Sequence, residues 1–74
     1  MMKTLNTLPI GTTGKIQEVN VTPSLKRRLF DLGFIPGSLI TPIYPSVLGN
    51  PIAYSIRGIT IALRNQDAQE IFLE

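Results

Sequence analysis

Apolar side chains recur along this chain at two spacings, and the change from one to the other divides it into segments. Leu25, Leu29 and Leu32 fall at i, i+4 and i+7, which is one face of a helix. Beyond them the period is two. Ile52, Tyr54 and Ile56 share one face of Pro51 to Ile56, and Ile59, Ile61 and Leu63 share one face of the returning run. Arg57-Gly58 between these runs is short enough for a hairpin. Before the helical stripe, Lys15 to Val21 reads as a strand of imperfect alternation. Ile16 and Val19 lie three apart, so either a bulge intervenes or Val19 and Val21 share the face opposite Ile16. Ser38 to Val47 is apolar and β-branched, but Pro42 and Pro45 have no N–H to donate, which predicts an edge strand or one broken by bulges.

Shorter signals fill the gaps. In the lead-in Thr4 to Pro9, Leu5 and Leu8 suit one helical turn lying on the core, and Gly11 and Gly14 punctuate the passage into the first strand. Thr22 is a good N-cap, and Pro23 at the first helical position gives up only an N–H that has no partner there. A helix over about 23–32 is predicted, with Lys26 and Arg27 off its apolar stripe and Arg28 at the margin. Gly33 is placed to end it in the left-handed conformation, with Phe34 behind it against Leu29, and Pro36-Gly37 suits the centre of a type II turn. Gly49-Asn50 suits a reversal, Asn65 to Ala68 a single helical turn capped by Asn65, and Glu70 to Leu73 a last short strand. Five short strands with one helix between the first and second predict a small β-barrel.

The expected core is Leu8, Ile10, Ile16, Val19, Leu25, Leu29, Leu32, Ile40, Ile43, Ile52, Tyr54, Ile56, Ile61, Leu63 and Ile71. Pro23, Leu25, Leu29, Leu32, Gly33, Pro36, Gly37 and Gly58 are the positions expected to hold the architecture. At 74 residues one domain over 1–74 is expected, too small to enclose a deep cleft.

Composition then removes most chemistry. Without cysteine there is no disulfide framework or thiolate metal site, and without histidine the usual general base and commonest metal ligand are gone. Ser24, Ser38, Ser46 and Ser55 therefore have no imidazole to activate them, and Gly11 to Lys15 lacks the spacing of a phosphate-binding loop. No catalytic residue and no cofactor is expected. Of the carboxylates, Asp67 and Glu70 stand i and i+3 and are the weak metal candidates; a helix N-terminal acid and a solvated strand residue is the plainer description. The net charge is +2, and Lys26-Arg27-Arg28, the only basic run, reads as a solvated face rather than a nucleic-acid footprint. No apolar run approaches a membrane span and no leader pattern opens the chain, so a cytoplasmic protein without membrane insertion is expected.

Arg27-Arg28-Leu29-x-Asp31-Leu32-Gly33-Phe34-x-Pro36-Gly37-Ser38 resembles the helix-and-turn signature of the FeoA family. So do Leu48-Gly49-Asn50-Pro51-Ile52 and Arg57-Gly58-x-x-Ile61-Ala62-Leu63-Arg64-x-x-Asp67-Ala68, and the likeness runs in order from Leu8 to Ile71. The resemblance implies an SH3-like barrel and a cytosolic accessory protein of bacterial ferrous iron uptake, acting with the GTPase-bearing membrane permease FeoB. It also implies kinship with the C-terminal domain of iron-dependent repressors. Asn50 stands where many relatives carry an aspartate, so no carboxylate role passes to it. The family's association with transition metals finds no ligand motif in this chain.

A non-enzymatic adaptor that docks to the permease is the function expected, and its candidate contacts form two groups. One is the outer helix face with the neighbouring loop: Lys26, Arg27, Phe30, Leu48 and Asn50. In it Phe30 either makes an apolar contact with the partner or packs on the lead-in. The other is Tyr44 on the proline-marked strand, whose edge would allow weak self-association. The alternative is a free-standing regulatory domain that acts on a DNA-binding protein. Direct nucleic-acid binding, which is not expected, would show itself by steep salt dependence.

Overall fold

The computed structural model describes residues 3–45 and 49–74. Among the described residues there are six strands: β1 (Lys3–Thr4), β2 (Gly14–Val19), β3 (Leu39–Pro45), β4 (Ile52–Ile56), β5 (Ile59–Leu63) and β6 (Ile71–Leu73). Helix α1 (Pro23–Asp31) joins β2 to β3, α2 (Asn65–Ala68) joins β5 to β6, and a 3-10 turn spans Leu5–Thr7. The sheet order is β1-β6-β2-β3-β4-β5 with every pairing antiparallel. The five strands expected are therefore joined by a sixth, of two residues, in the lead-in. The Cα extents are 28 × 26 × 24 Å, so the sheet curls around its core instead of lying flat.

The uneven spacing of Ile16 and Val19 is a bulge. The β2–β6 register shifts between Ile16 and Glu18, and both apolar residues end up buried. The β4–β5 hairpin keeps the expected register, with Ile52, Tyr54 and Ile56 opposite Leu63, Ile61 and Ile59.

Of the two expectations for Ser38 to Val47, an edge strand or one broken by bulges, the described residues Leu39–Pro45 show the second. β3 lies inside the sheet, with Leu39 and Ile40 paired to β2 and the strand paired along its length to β4. Its prolines are absorbed by the alternative means, a register shift between Pro42 and Tyr44. Pro42 contributes through its carbonyl, which accepts the Gly11 N–H at 2.7 Å. The sheet order ends at β1 and β5, but β2 pairs with β3 only at Leu39 and Ile40, so the stretch from Thr41 to Pro45 has a strand ladder on its β4 side alone.

Leu5, Ile16, Leu29, Phe34, Ile40, Tyr54, Ile56 and Ile71 fill the centre, with Leu8, Val19, Leu63 and Leu73 around them. Leu25, Leu32, Ile52 and Ile61 pack against this cluster half-buried, and Ile43 is also half-buried. Ile10, expected in the core, is 49% exposed, because it sits in the turn that the Thr12 N–H closes onto the Pro9 carbonyl. Leu5, Phe34, Ala53, Ala68 and Leu73 are buried instead of, or in addition to, the residues expected.

Candidate docking surfaces

Helix α1 begins where Thr22-Pro23 predicts, with Pro23 in its first turn. The Thr22 hydroxyl makes no capping bond; its carbonyl accepts the Lys26 N–H at 2.8 Å, so proline and backbone set the start. The far end is tighter. Gly33 has φ 106°, its N–H donates to the Phe30 carbonyl at 3.0 Å, and the Phe34 N–H reaches the Leu29 carbonyl at 2.9 Å. These two bonds make a Schellman cap and place Phe34 in the core. The Ser38 N–H then closes onto the Ile35 carbonyl at 3.0 Å, with Gly37 at φ 95° as a type II turn requires.

Arg57 completes this junction, which its sequence position does not suggest. It occupies the β4–β5 turn at φ 49°, and its side chain crosses Gly33 so closely that a Cβ there would collide with Arg57 Cδ. The turn end of the hairpin is thereby tied to the helix C-terminus. Arg57-Gly58 is legible as a hairpin turn, but its approach to Gly33 depends on tertiary structure.

The outer face of α1 carries the first candidate surface. Lys26 Nζ stands 5.6 Å from the centroid of the Phe30 ring, one helical turn away. Phe30 is 41% exposed and so faces outward, while Leu29 beside it is buried. Arg27 and Arg28 are exposed. Lys26, Arg27 and Phe30 thus form one basic and aromatic face that the fold does not need for its core.

Tyr44 and Asn50 belong elsewhere. Tyr44 is 58% exposed and stands over a concavity of about 290 Å³ lined also by Pro51, Ala53, Thr60 and Ala62. Tyr44 pairs with Ala53 and Ala53 with Ala62, so one row across β3, β4 and β5 builds its floor and wall. Asn50 has a structural duty at the end of the same region: its Oδ1 accepts the Asn65 N–H at 2.9 Å at the start of α2. Asn65 is therefore the first residue of that helix and receives a cap, a reversal of the expectation that it supplies one. Leu48 lies outside the described residues. The helix face and Tyr44 consequently form two sites and not one, since α1 ends at the turn end of the hairpin and the concavity lies toward its open end.

Interior chemistry is sparse. Burial pushes the Tyr54 phenol above its ordinary value of 10.0, which keeps it protonated and uncharged near neutral pH. Among the described residues no group of three or more His, Cys, Asp or Glu side chains could hold a metal ion. Asp67 sits half-buried within α2 and Glu70 is exposed beyond its end, its N–H bonded to the Asp67 carbonyl at 3.1 Å. Among those residues no helix is long and apolar enough to cross a membrane.

A curled six-stranded antiparallel sheet with a helix inserted between β2 and β3 defines a small SH3-like barrel module. The FeoA domain model matches residues 3–74, and the chain belongs to the FeoA domain family. It is similar to the FeoA protein of Chlorobium tepidum in solution, with 28% identity and a TM-score of 0.92 over 97% of this chain and 69% of that one. It is also similar to the zinc-bound FeoA of Stenotrophomonas maltophilia, a procaryotic SH3 domain protein. That match has 26% identity and a TM-score of 0.85 over 97% of this chain and 89% of that one. An Fe(2+) transport protein A/Fe(2+) transporter FeoB fusion protein of Porphyromonas gingivalis is 30% identical over 70 residues, which are 95% of this chain. The chain spans only 8% of that fusion's length.

Proposed function

We propose that this chain is a non-enzymatic accessory protein of ferrous iron uptake that docks reversibly, in the cytoplasm, onto the cytoplasmic part of a FeoB-type permease and modulates it. The observation that carries this is the fusion relative, in which a segment like this one shares a polypeptide with a FeoB transporter. Covalent linkage holds two modules at a high mutual concentration, an arrangement that favours modules that act on one another. The helix face supports the same reading. Lys26, Arg27 and exposed Phe30 offer charge and an apolar contact on a helix already anchored by Leu29. An acidic partner surface would be complementary to it, with the barrel as a rigid mount.

Calorimetric titration of the cytoplasmic part of the permease with wild type, Lys26→Glu/Arg27→Glu and Leu29→Ala tests this, with thermal melts alongside. Saturable wild-type binding is expected. The folded double reversal should bind more weakly by several kcal/mol or associate far more slowly. Leu29→Ala should lose binding only in proportion to its unfolding. A folded double reversal with wild-type affinity would remove the helix face from the interface. Absence of wild-type binding would overturn the adaptor role, and capture of a DNA-binding repressor instead would turn the assignment to a regulatory domain.

A further inference from the structure

We infer that the concavity over β3, β4 and β5 is a second docking site, built for an extended acidic segment that inserts one aromatic side chain between Tyr44 and Pro51. The inference rests on the adaptor role and adds a specific recognition chemistry to it.

The outer face of these strands is organised in rows. Thr41, Ser55 and Thr60 pair across the three strands and form a hydroxyl row. Next comes the apolar row of Tyr44, Ala53 and Ala62. The two alanines are too small to fill the space that Tyr44 and Pro51 wall, which leaves the concavity of about 290 Å³. The third row is set by the register. Ile52 opposes Leu63 and the Asn50 carboxamide holds the Asn65 N–H, so Pro51 and Arg64 are the residues between these two links. Arg64 is exposed, has an extended backbone and continues the Thr60, Ala62 alternation one step beyond β5, on the outer-face side of the strand.

Charge selects the occupant. Between Asp31 and Asp67 the chain has no carboxylate side chain, and its only charged residues there are Arg57 and Arg64. Strands β3, β4 and β5 lie wholly within that stretch. The Thr41 hydroxyl is already bonded to that of Thr13 at 2.8 Å, so this face meets a partner with the Ser55 and Thr60 hydroxyls, an apolar slot and a cation, and with no carboxylate of its own strands to repel an acidic chain. The nearest acid in sequence, Asp67, is half-buried in α2. An aromatic anchor suits the slot because a planar ring packs flat on alanine and against the Tyr44 and Pro51 rings. Flanking Glu or Asp side chains then reach Arg64.

The test is a titration of ¹⁵N-labelled protein with an end-blocked peptide carrying one central Trp flanked by Glu on both sides. Two control peptides replace the Glu residues by Lys or the Trp by Ala. Amide shifts are expected at Ala53, Thr60, Ala62 and Arg64, with both controls much weaker. Arg64→Glu should weaken the acidic peptide about tenfold or more, and Ala62→Phe should block it while both variants keep the wild-type melting temperature. No shifts at millimolar peptide, shifts confined to other faces, or equal shifts from the Lys peptide would overturn the inference. A second titration, with the cytoplasmic part of the permease, separates the two proposals. Binding that moves only α1 resonances overturns the groove and leaves the adaptor role standing. No binding, alongside groove shifts from the acidic peptide, overturns the adaptor role and leaves the groove.

Discussion

The two ends of the β4–β5 hairpin are built by different means. At its turn end, the junction with α1 is made largely of neighbours in sequence, Leu29 through Ser38, joined from a distance by Arg57 and by Ile16, which bonds Gly37 and Ser38 through its backbone. At its open end, the concavity draws Tyr44, Ala53 and Ala62 from three strands, and Asn50 beside it caps α2. The first end is a device for stability and the second a surface left open. Substitutions at the junction should therefore be felt in the melt and those at the open end in binding.

Phe34→Ala should show the largest effect, a loss of about 3–5 kcal/mol, because it empties a fully buried site behind the cap. Tyr44→Ala, also the removal of a ring, should cost about 0.5 kcal/mol or less in the same chemical denaturation series, as exposed positions do. Equal losses would erase the contrast between the two ends.

Gly33→Ala comes next. A left-handed backbone penalises a Cβ by about 1–2 kcal/mol, and the added atom also meets Arg57. Repeating the change in an Arg57→Ala background divides these causes. The backbone part should persist and the contact part vanish, so the measured coupling reports how firmly the hairpin holds the helix end. Ser24→Ala, on the exposed first turn of the helix, should be nearly silent.

Asn50→Ala should cost about 0.5–2 kcal/mol through loss of the bond to the Asn65 N–H, read as a lower melting temperature. Asn50→Asp should stay within about 0.5 kcal/mol of wild type, since a carboxylate accepts the same N–H. A large loss in Asn50→Asp would mean that the carboxamide N–H₂ matters as well. The smallest stability effects belong to Lys26→Glu/Arg27→Glu and Arg64→Glu, about 0.5 kcal/mol or less at each position.

Legibility in the sequence divides along the same line. Helix α1, its glycine cap, the type II turn and the hairpin register are all readable, because each depends on residues within a few positions of one another. The bulge in β2 is one of two readings, since alternation alone does not tell a bulge from a change of face. The prolines of β3 leave two readings, an edge strand or a bulge, and no local pattern chooses between them. A register shift and the Pro42 carbonyl make the interior position workable. Ile10 is misread because apolar character does not reveal that a residue sits in a turn. Of the candidate contacts, Lys26, Arg27 and Phe30 form one face as their helical spacing implies. The role of Asn50 as a cap for α2 and the approach of Arg57 to Gly33 depend on pairings across the fold that no local pattern encodes.

The central claim, that this module acts by docking to the iron transporter and not by chemistry of its own, is met most directly by ferrous iron uptake in cells that lack the chain. Wild type and Ser24→Ala should restore uptake. Lys26→Glu/Arg27→Glu, present at equal abundance and equally folded, should restore little of it. Full restoration by the double reversal, or undiminished uptake without the chain, would contradict the claim.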